Sequence, residues 1–171
     1  MCEADGACHE AADVASPRTE YSGRTVAQRK KWFEFHDVLA SSAEAFAPTK
    51  EPLVFLGDSI TETWLGTSYG DAVRRASGAP AMLEAKFGSR FDPIVLAISG
   101  DQTQHLMWRL DHGELPREAS KTTNATFVVM IGTNNLGNGH LPGQALAGVN
   151  AVADLLLQRA SGRVQGRKPR G

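Results

Sequence analysis

The sequence predicts an α/β domain built on a parallel sheet. Short, wholly apolar segments alternate with amphipathic ones, and each apolar segment ends in a polar cluster containing glycine. The apolar segments are residues 53–56, 94–98 and 127–131. The clusters behind them are Gly57-Asp58-Ser59, Ser99-Gly100-Asp101 and Gly132-Thr133-Asn134-Asn135. Segments apolar throughout suit strands covered on both faces. Right-handed crossovers would bring the three strand C-termini to one edge of the sheet, where open α/β folds bind ligands.

Taken in order, residues 1–24 are small and polar, include Pro17, and read as a disordered leader. Between Val26 and Phe46, the apolar residues Trp32, Phe35, Leu39 and Phe46 recur at helical spacing, and Pro48 closes the segment. After the first strand, residues 71–87 carry Val73, Ala76, Met82, Leu83 and Phe87, a helical pattern interrupted by Gly78 and Pro80. Leu106, Met107 and Leu110 predict a helix behind the second strand. Ala145, Val149, Val152 and Leu156 predict a last one over about residues 144–159. Residues 25–160 form the expected domain. Residues 161–171, with Arg163, Arg167, Lys168 and Arg170 among glycines, read as a disordered basic tail.

A chain of 171 residues has room for one domain with a core. Its 18 basic and 19 acidic side chains nearly cancel, which gives no electrostatic reason to expect nucleic acid. No apolar run approaches the roughly 20 residues of a membrane span. The start lacks the basic and apolar segments of a secretory signal, so the expected compartment is the cytoplasm. Asn124-Ala125-Thr126 has the form of a glycosylation acceptor, without meaning unless the chain is exported. Cys2, Cys8 and His9 are too few and too loosely spaced for a structural zinc site. Neither a metal nor a cofactor is expected.

Three positions carry candidate chemistry. Ser59 follows a buried strand on a sharp turn, where its hydroxyl could attack an acyl carbon if a histidine took the proton. Asp58 or Ser59 could equally cap the next helical turn. Gly100 lets its backbone N–H approach a bound oxygen, or simply makes a tight turn. Asn134 could point an amide donor at the same oxygen, or make a cap. Asp101 reads as a helix cap rather than as an orienting acid.

Together these residues resemble the SGNH (GDSL-like) hydrolases, whose four blocks contribute Ser, Gly, Asn and His in that order. Residues 57–62 look like the first block, 98–103 like the second and 132–135 like the third. The stretch 100–110, with Gly113-Glu114-Leu115 beyond it, is similar to the catalytic subunits of the platelet-activating-factor acetylhydrolase IB group. The resemblance covers roughly residues 26–160. It implies a flavodoxin-like α/β/α sandwich and hydrolysis of small acyl esters. It also implies Ser59 as nucleophile and oxyanion donor, Gly100 as a second donor by its backbone, and Asn134 as a third by its side chain.

The family's fourth block, Asp-x-x-His, does not occur after Asn134. Residues 161–171 do not read as the next apolar strand, so the sequence reads as a C-terminally incomplete version of the fold, from a truncated or mis-spliced gene model or a frameshift. Among the histidines, His36 lies on the first helix, and His105 and His112 read as surface or packing residues. His140, in the loop after Asn134, is the one near the expected edge, without a carboxylate at family spacing. Two functions follow. One is a small-ester hydrolase whose activity alone is in doubt. The other is a non-catalytic α/β binding or subunit-pairing domain derived from such an esterase. In either case the expected partners are a small ester substrate and, for assembly, a second copy in a homo-oligomer or a homologous subunit.

Overall fold

The computed structural model describes residues 10–20, 25–122 and 124–160. Helix α1 (Val26–Ala45) begins at a reciprocal cap, in which the Thr25 hydroxyl accepts from the Gln28 N–H and the Gln28 side chain accepts from the Thr25 N–H. Strand β1 (Glu51–Gly57) follows, then the single turn α2 (Ser59–Glu62) and a two-residue hairpin, β2 (Thr67–Ser68) and β3 (Asp71–Ala72). Next come α3 (Ala79–Phe87), β4 (Phe91–Ala97), α4 (Thr103–Arg109) and α5 (Arg117–Lys121). The described chain closes with β5 (Thr126–Met130), α6 (Thr133–Gly137) and α7 (Pro142–Ala160).

The predicted α/β class is observed. β1 lies between β4 and β5 and is parallel to both. Its side chains alternate between two cores. Val54 and Leu56 join Trp32 and Leu39 of α1, Leu106 of α4 and Val152 of α7. Leu53 and Phe55 join Leu83 of α3, with Trp64 and Phe87 against them. Helices therefore cover both faces of the sheet, giving three layers. The segment leading from β1 to β4 packs on one face, and the one leading from β4 to β5 on the other. The chain thus runs from β1 outward to β4 and then crosses to β5 on the other side of β1, the change of direction at which open α/β folds bind ligands. Pro93 is accommodated because β4 is an outer strand among the described residues.

Two expectations need correction. Residues 71–87 are not one interrupted helix. Gly70, at φ +78°, turns the β2–β3 hairpin, and Pro80 sits in the first turn of α3, where its missing N–H costs nothing. Within the expected disordered leader, residues 10–20 pack against the domain. Ala12 and Arg18 are buried, and the Thr103 hydroxyl donates to the Ala12 carbonyl at 2.6 Å. Gly148 of α7 leaves room for this crossing, because a Cβ there would lie 2.2 Å from the Thr103 Oγ1 and 2.6 Å from the Ala12 carbonyl. The partners of this segment lie far away in sequence, so its composition gave no sign of them. The remaining residues of that leader, with Cys2, Cys8 and His9, and the basic tail lie outside the described residues.

Among the described residues, β5 is the outer strand on the other side. Val128, Val129 and Met130 are each more than a third exposed. The strand carries no charge or proline of the kind that blunts an open edge.

Candidate active site

The candidate residues sit on the C-terminal ends of the three parallel strands. Gly57 ends β1, and Asp58 caps α2 by accepting the Ile60 N–H at 3.0 Å. Ser59, the first residue of α2, is exposed while Asp58 is buried. The capping role read for this turn thus belongs to Asp58 and leaves the Ser59 hydroxyl on the surface.

Behind β4, the Asp101 N–H bonds to the Ile98 carbonyl at 3.2 Å, and Gly100 has φ +78°. This conformation favours glycine. The turn is anchored from below by Glu62, a fully buried carboxylate that accepts from the Ser99 N–H and hydroxyl, each at 2.6 Å. Its other oxygen accepts from the Thr67 hydroxyl and the Gly70 N–H.

Asn134 ties the three loops together. Its Nδ2 donates to the Asp101 carbonyl at 2.9 Å and to the Asp58 carboxylate at 3.2 Å. Burial pushes the Asp58 carboxyl above its usual range. The Asp101 charge adds to that rise, against the stabilising Ile60 N–H. The neighbouring Asn135 is fully buried and has a different task, with its Oδ1 accepting from the Thr103 N–H at 3.0 Å.

Asp101 is not the helix cap that the sequence suggested, for Gln102 takes that position. Its carboxylate is fully buried and accepts from Arg18 at 3.0 Å, Trp32 at 2.7 Å and Arg109 at 2.7 Å. Arg109 also pairs with Glu114, which in turn meets the His36 Nδ1 at 2.7 Å. Two guanidiniums and two carboxylates thus balance in the interior, which a buried ionic cluster requires. Sequence reasoning missed this cluster. Glu114 and Arg109 were visible as part of a motif, but no local signal marks them as buried.

The described histidines are occupied elsewhere. His105 is fully buried, its Nδ1 accepting from the Gln102 N–H, so its Nε2 donates to Glu10 at 2.8 Å. The His112 Nδ1 meets the Trp108 carbonyl at 2.7 Å, and its ring stacks on that indole. His140 is buried, with its ring nitrogens 3.2 Å from the Asn135 carbonyl and 2.8 Å from the Glu10 carbonyl. Both of its ring nitrogens thus face backbone carbonyls rather than Ser59.

The Glu10–His105 pair has a pH signature. Burial raises the Glu10 carboxyl, but hydrogen bonds from His105, Thr19 and Gln104 outweigh it and bring the group down to about 2. Burial also lowers the His105 imidazole, against the Glu10 hydrogen bond. A carboxylate with a depressed folded value adds stability above its unfolded value, and that stability is lost as pH falls through the folded one. The expected result is a loss of Tm between about pH 4.5 and pH 2 in acid melts. Glu10→Gln should flatten that slope, and an equally steep slope in the variant would contradict the assignment.

No group of three potential metal ligands occurs among the described residues, and no described helix is long and apolar enough to cross a membrane.

Comparison with known proteins gives a consistent result. The GDSL-like Lipase/Acylhydrolase family matches residues 55–168. Platelet-activating factor acetylhydrolase IB subunit alpha1 of Bos taurus is 32% identical over 145 residues, covering 82% of this chain and 52% of the relative. The Homo sapiens protein of the same name gives the same identity and coverage. Subunit alpha2 of Gallus gallus is 38% identical over 77 residues, 43% of this chain and 31% of the relative. The chain spans about half the length of the alpha1 relatives it matches.

Proposed function

The chain belongs to the GDSL-like lipase/acylhydrolase family, and from that premise we propose that its site cleaves small carboxylic esters, acetyl esters foremost, through Ser59. The observation that carries the reading is the Asn134 amide, which spans the Asp58 carboxylate and the Asp101 carbonyl and so gathers the Ser59, Gly100 and Asn134 loops at one sheet edge. The names of the relatives favour acetyl as the acyl group.

In this reading the Ser59 hydroxyl attacks the acyl carbon and gives its proton to solvent water, because the histidines of the described residues are engaged elsewhere. The alcohol leaves, and water hydrolyses the acyl-serine. The negative charge on the carbonyl oxygen meets the backbone N–H groups of Ser59 and Gly100 and the Asn134 amide. Both Asn134 amide hydrogens are engaged in the free protein. The weaker bond, to Asp58, is the one exchanged for the oxyanion. A single well-placed Asn donor lowers the barrier by about 3–4 kcal/mol. Asn134→Ala is therefore expected to lower kcat by roughly 100-fold or more.

The test is hydrolysis of an aryl acetate, followed by the release of alcohol and of acetate. Ser59→Ala should reduce both to the uncatalysed rate, and turnover unchanged by that substitution would overturn the reading. The second reading is a domain that pairs with another polypeptide without catalysis. It is favoured by the exposed apolar residues of β5, an outer strand among the described residues, and by the structural partners of the described histidines. A folded chain with no acetate release, together with a stable complex buried on β5, would select it.

A further inference from the structure

The Ser99–Gly100 peptide lies at the centre of a turn that has two nearly isoenergetic forms. With the Asp101 N–H bonded to the Ile98 carbonyl, residues 98–101 make a β-turn, and φ +78° at Gly100 is the value of type II. Type I differs mainly by a half rotation of the central peptide. Because that peptide is planar and trans, its carbonyl and its N–H point in opposite directions. Whatever holds the Ser99 carbonyl therefore aims the Gly100 N–H.

Arg18 holds it. Its Nη2 donates to the Ser99 carbonyl at 2.6 Å and to Asp101 at 3.0 Å, and its Nη1 donates to the Tyr69 hydroxyl at 2.8 Å. Arg18 is 3% exposed, and its guanidinium sits near the rings of Tyr69 and Trp32. It is thus fixed on several sides, and its planar fork reaches three acceptors at once.

We propose that Arg18, brought in by the N-terminal segment, is a positioning residue that locks the Ser99–Gly100 peptide in the type II form and so aims the Gly100 N–H at the substrate oxygen. The proposal rests on the reading of Gly100 as an oxyanion donor, while its structural half stands apart from that reading. Without Arg18, the buried Ser99 carbonyl loses its cation, and the peptide is free to rotate. Gly100 tolerates both forms, so nothing else in its own backbone chooses between them.

The test combines NMR with a reactive probe. In type II the ψ of Ser99 brings its Hα close to the Gly100 amide proton; in type I it brings the Ser99 amide proton there instead. The parent chain should show the Hα contact. Arg18→Ala should show the amide–amide contact in part or in full, and Arg18→Lys, which keeps one donor, should lie between. Phosphonylation of Ser59 by a fluorophosphonate should slow about tenfold or more in Arg18→Ala in its first-order step, with little change in the half-saturating concentration. Folded Arg18 variants with the parent NMR contacts would overturn the proposal. So would a rotated peptide with an unchanged phosphonylation rate. If Arg18→Ala does not fold, Arg18→Lys and Arg18→Gln decide by the same contacts. A parent chain that is not phosphonylated removes the oxyanion reading, while the NMR contacts still decide whether Arg18 sets the turn.

Discussion

Asp101→Ala is expected to lower stability by about 3–5 kcal/mol, the usual effect of removing one partner from a buried ion pair. Asp101 accepts from two guanidiniums and an indole N–H, all buried. Alanine takes from Arg18 its carboxylate partner, leaves Arg109 with Glu114 alone, and removes the acceptor of the Trp32 N–H. For a domain of this size the loss corresponds to a fall in Tm of roughly 6–20 °C. Asp101→Asn keeps the shape and one acceptor, so its loss should be smaller. The Asp101 charge also helps to raise the Asp58 carboxyl. In Asp101→Asn, Asp58 should therefore titrate closer to the usual carboxylate range. Thermal melts and carboxyl NMR titration read both effects. A Tm for Asp101→Ala within a degree or two of the parent would show that the cluster does not hold the loops.

Gly57→Ala is expected to damage both fold and site. Gly57 pairs with Ala97 on one side and Met130 on the other, so it has a strand at each flank. An added Cβ would lie 2.3 Å from the Met130 carbonyl and 2.5 Å from the Thr61 Oγ1. The first contact is with backbone, so relief requires β5 to move away from β1. Overpacking a rigid position costs about 1–3 kcal/mol, and this one sits at the upper end because side-chain rotation cannot relieve it. Displacement of β5 carries Asn134 with it, which should break the Asn134–Asp58 hydrogen bond and lower any esterase rate with it. Denaturant unfolding and the Asn134 side-chain amide resonances check the two parts. A parent-like midpoint and unshifted resonances would contradict the close approach.

Much of the sheet was legible in the sequence because burial on two faces leaves a local mark. Residues 53–56 are apolar without a break and form the middle of β1, flanked on both sides and covered on both faces. The glycines at 100 and 132 were legible because sharp turns at positive φ demand that residue type, and Gly57 because a neighbouring strand comes too close for a side chain. The charged interior was not legible. Arg18 and Asp101 are 83 positions apart, and Glu10 and His105 are 95 apart. Pairing at that distance in sequence leaves no periodicity, so the N-terminal segment read as a solvated leader and Asp101 as a cap. Ser59 and Asn134 were legible as a motif. The hydrogen bonds that occupy the Asn134 amide in the free protein were not.

The central claim is that Ser59 is the nucleophile of this site and lies beside an oxyanion site. It is tested most directly by treating the folded chain with a fluorophosphonate and mapping the adduct by peptide mass spectrometry. The account predicts one adduct, on Ser59, lost in Ser59→Ala and slowed in Asn134→Ala. A folded chain that takes up no reagent, or takes it up elsewhere at the same rate with and without Ser59, would contradict it.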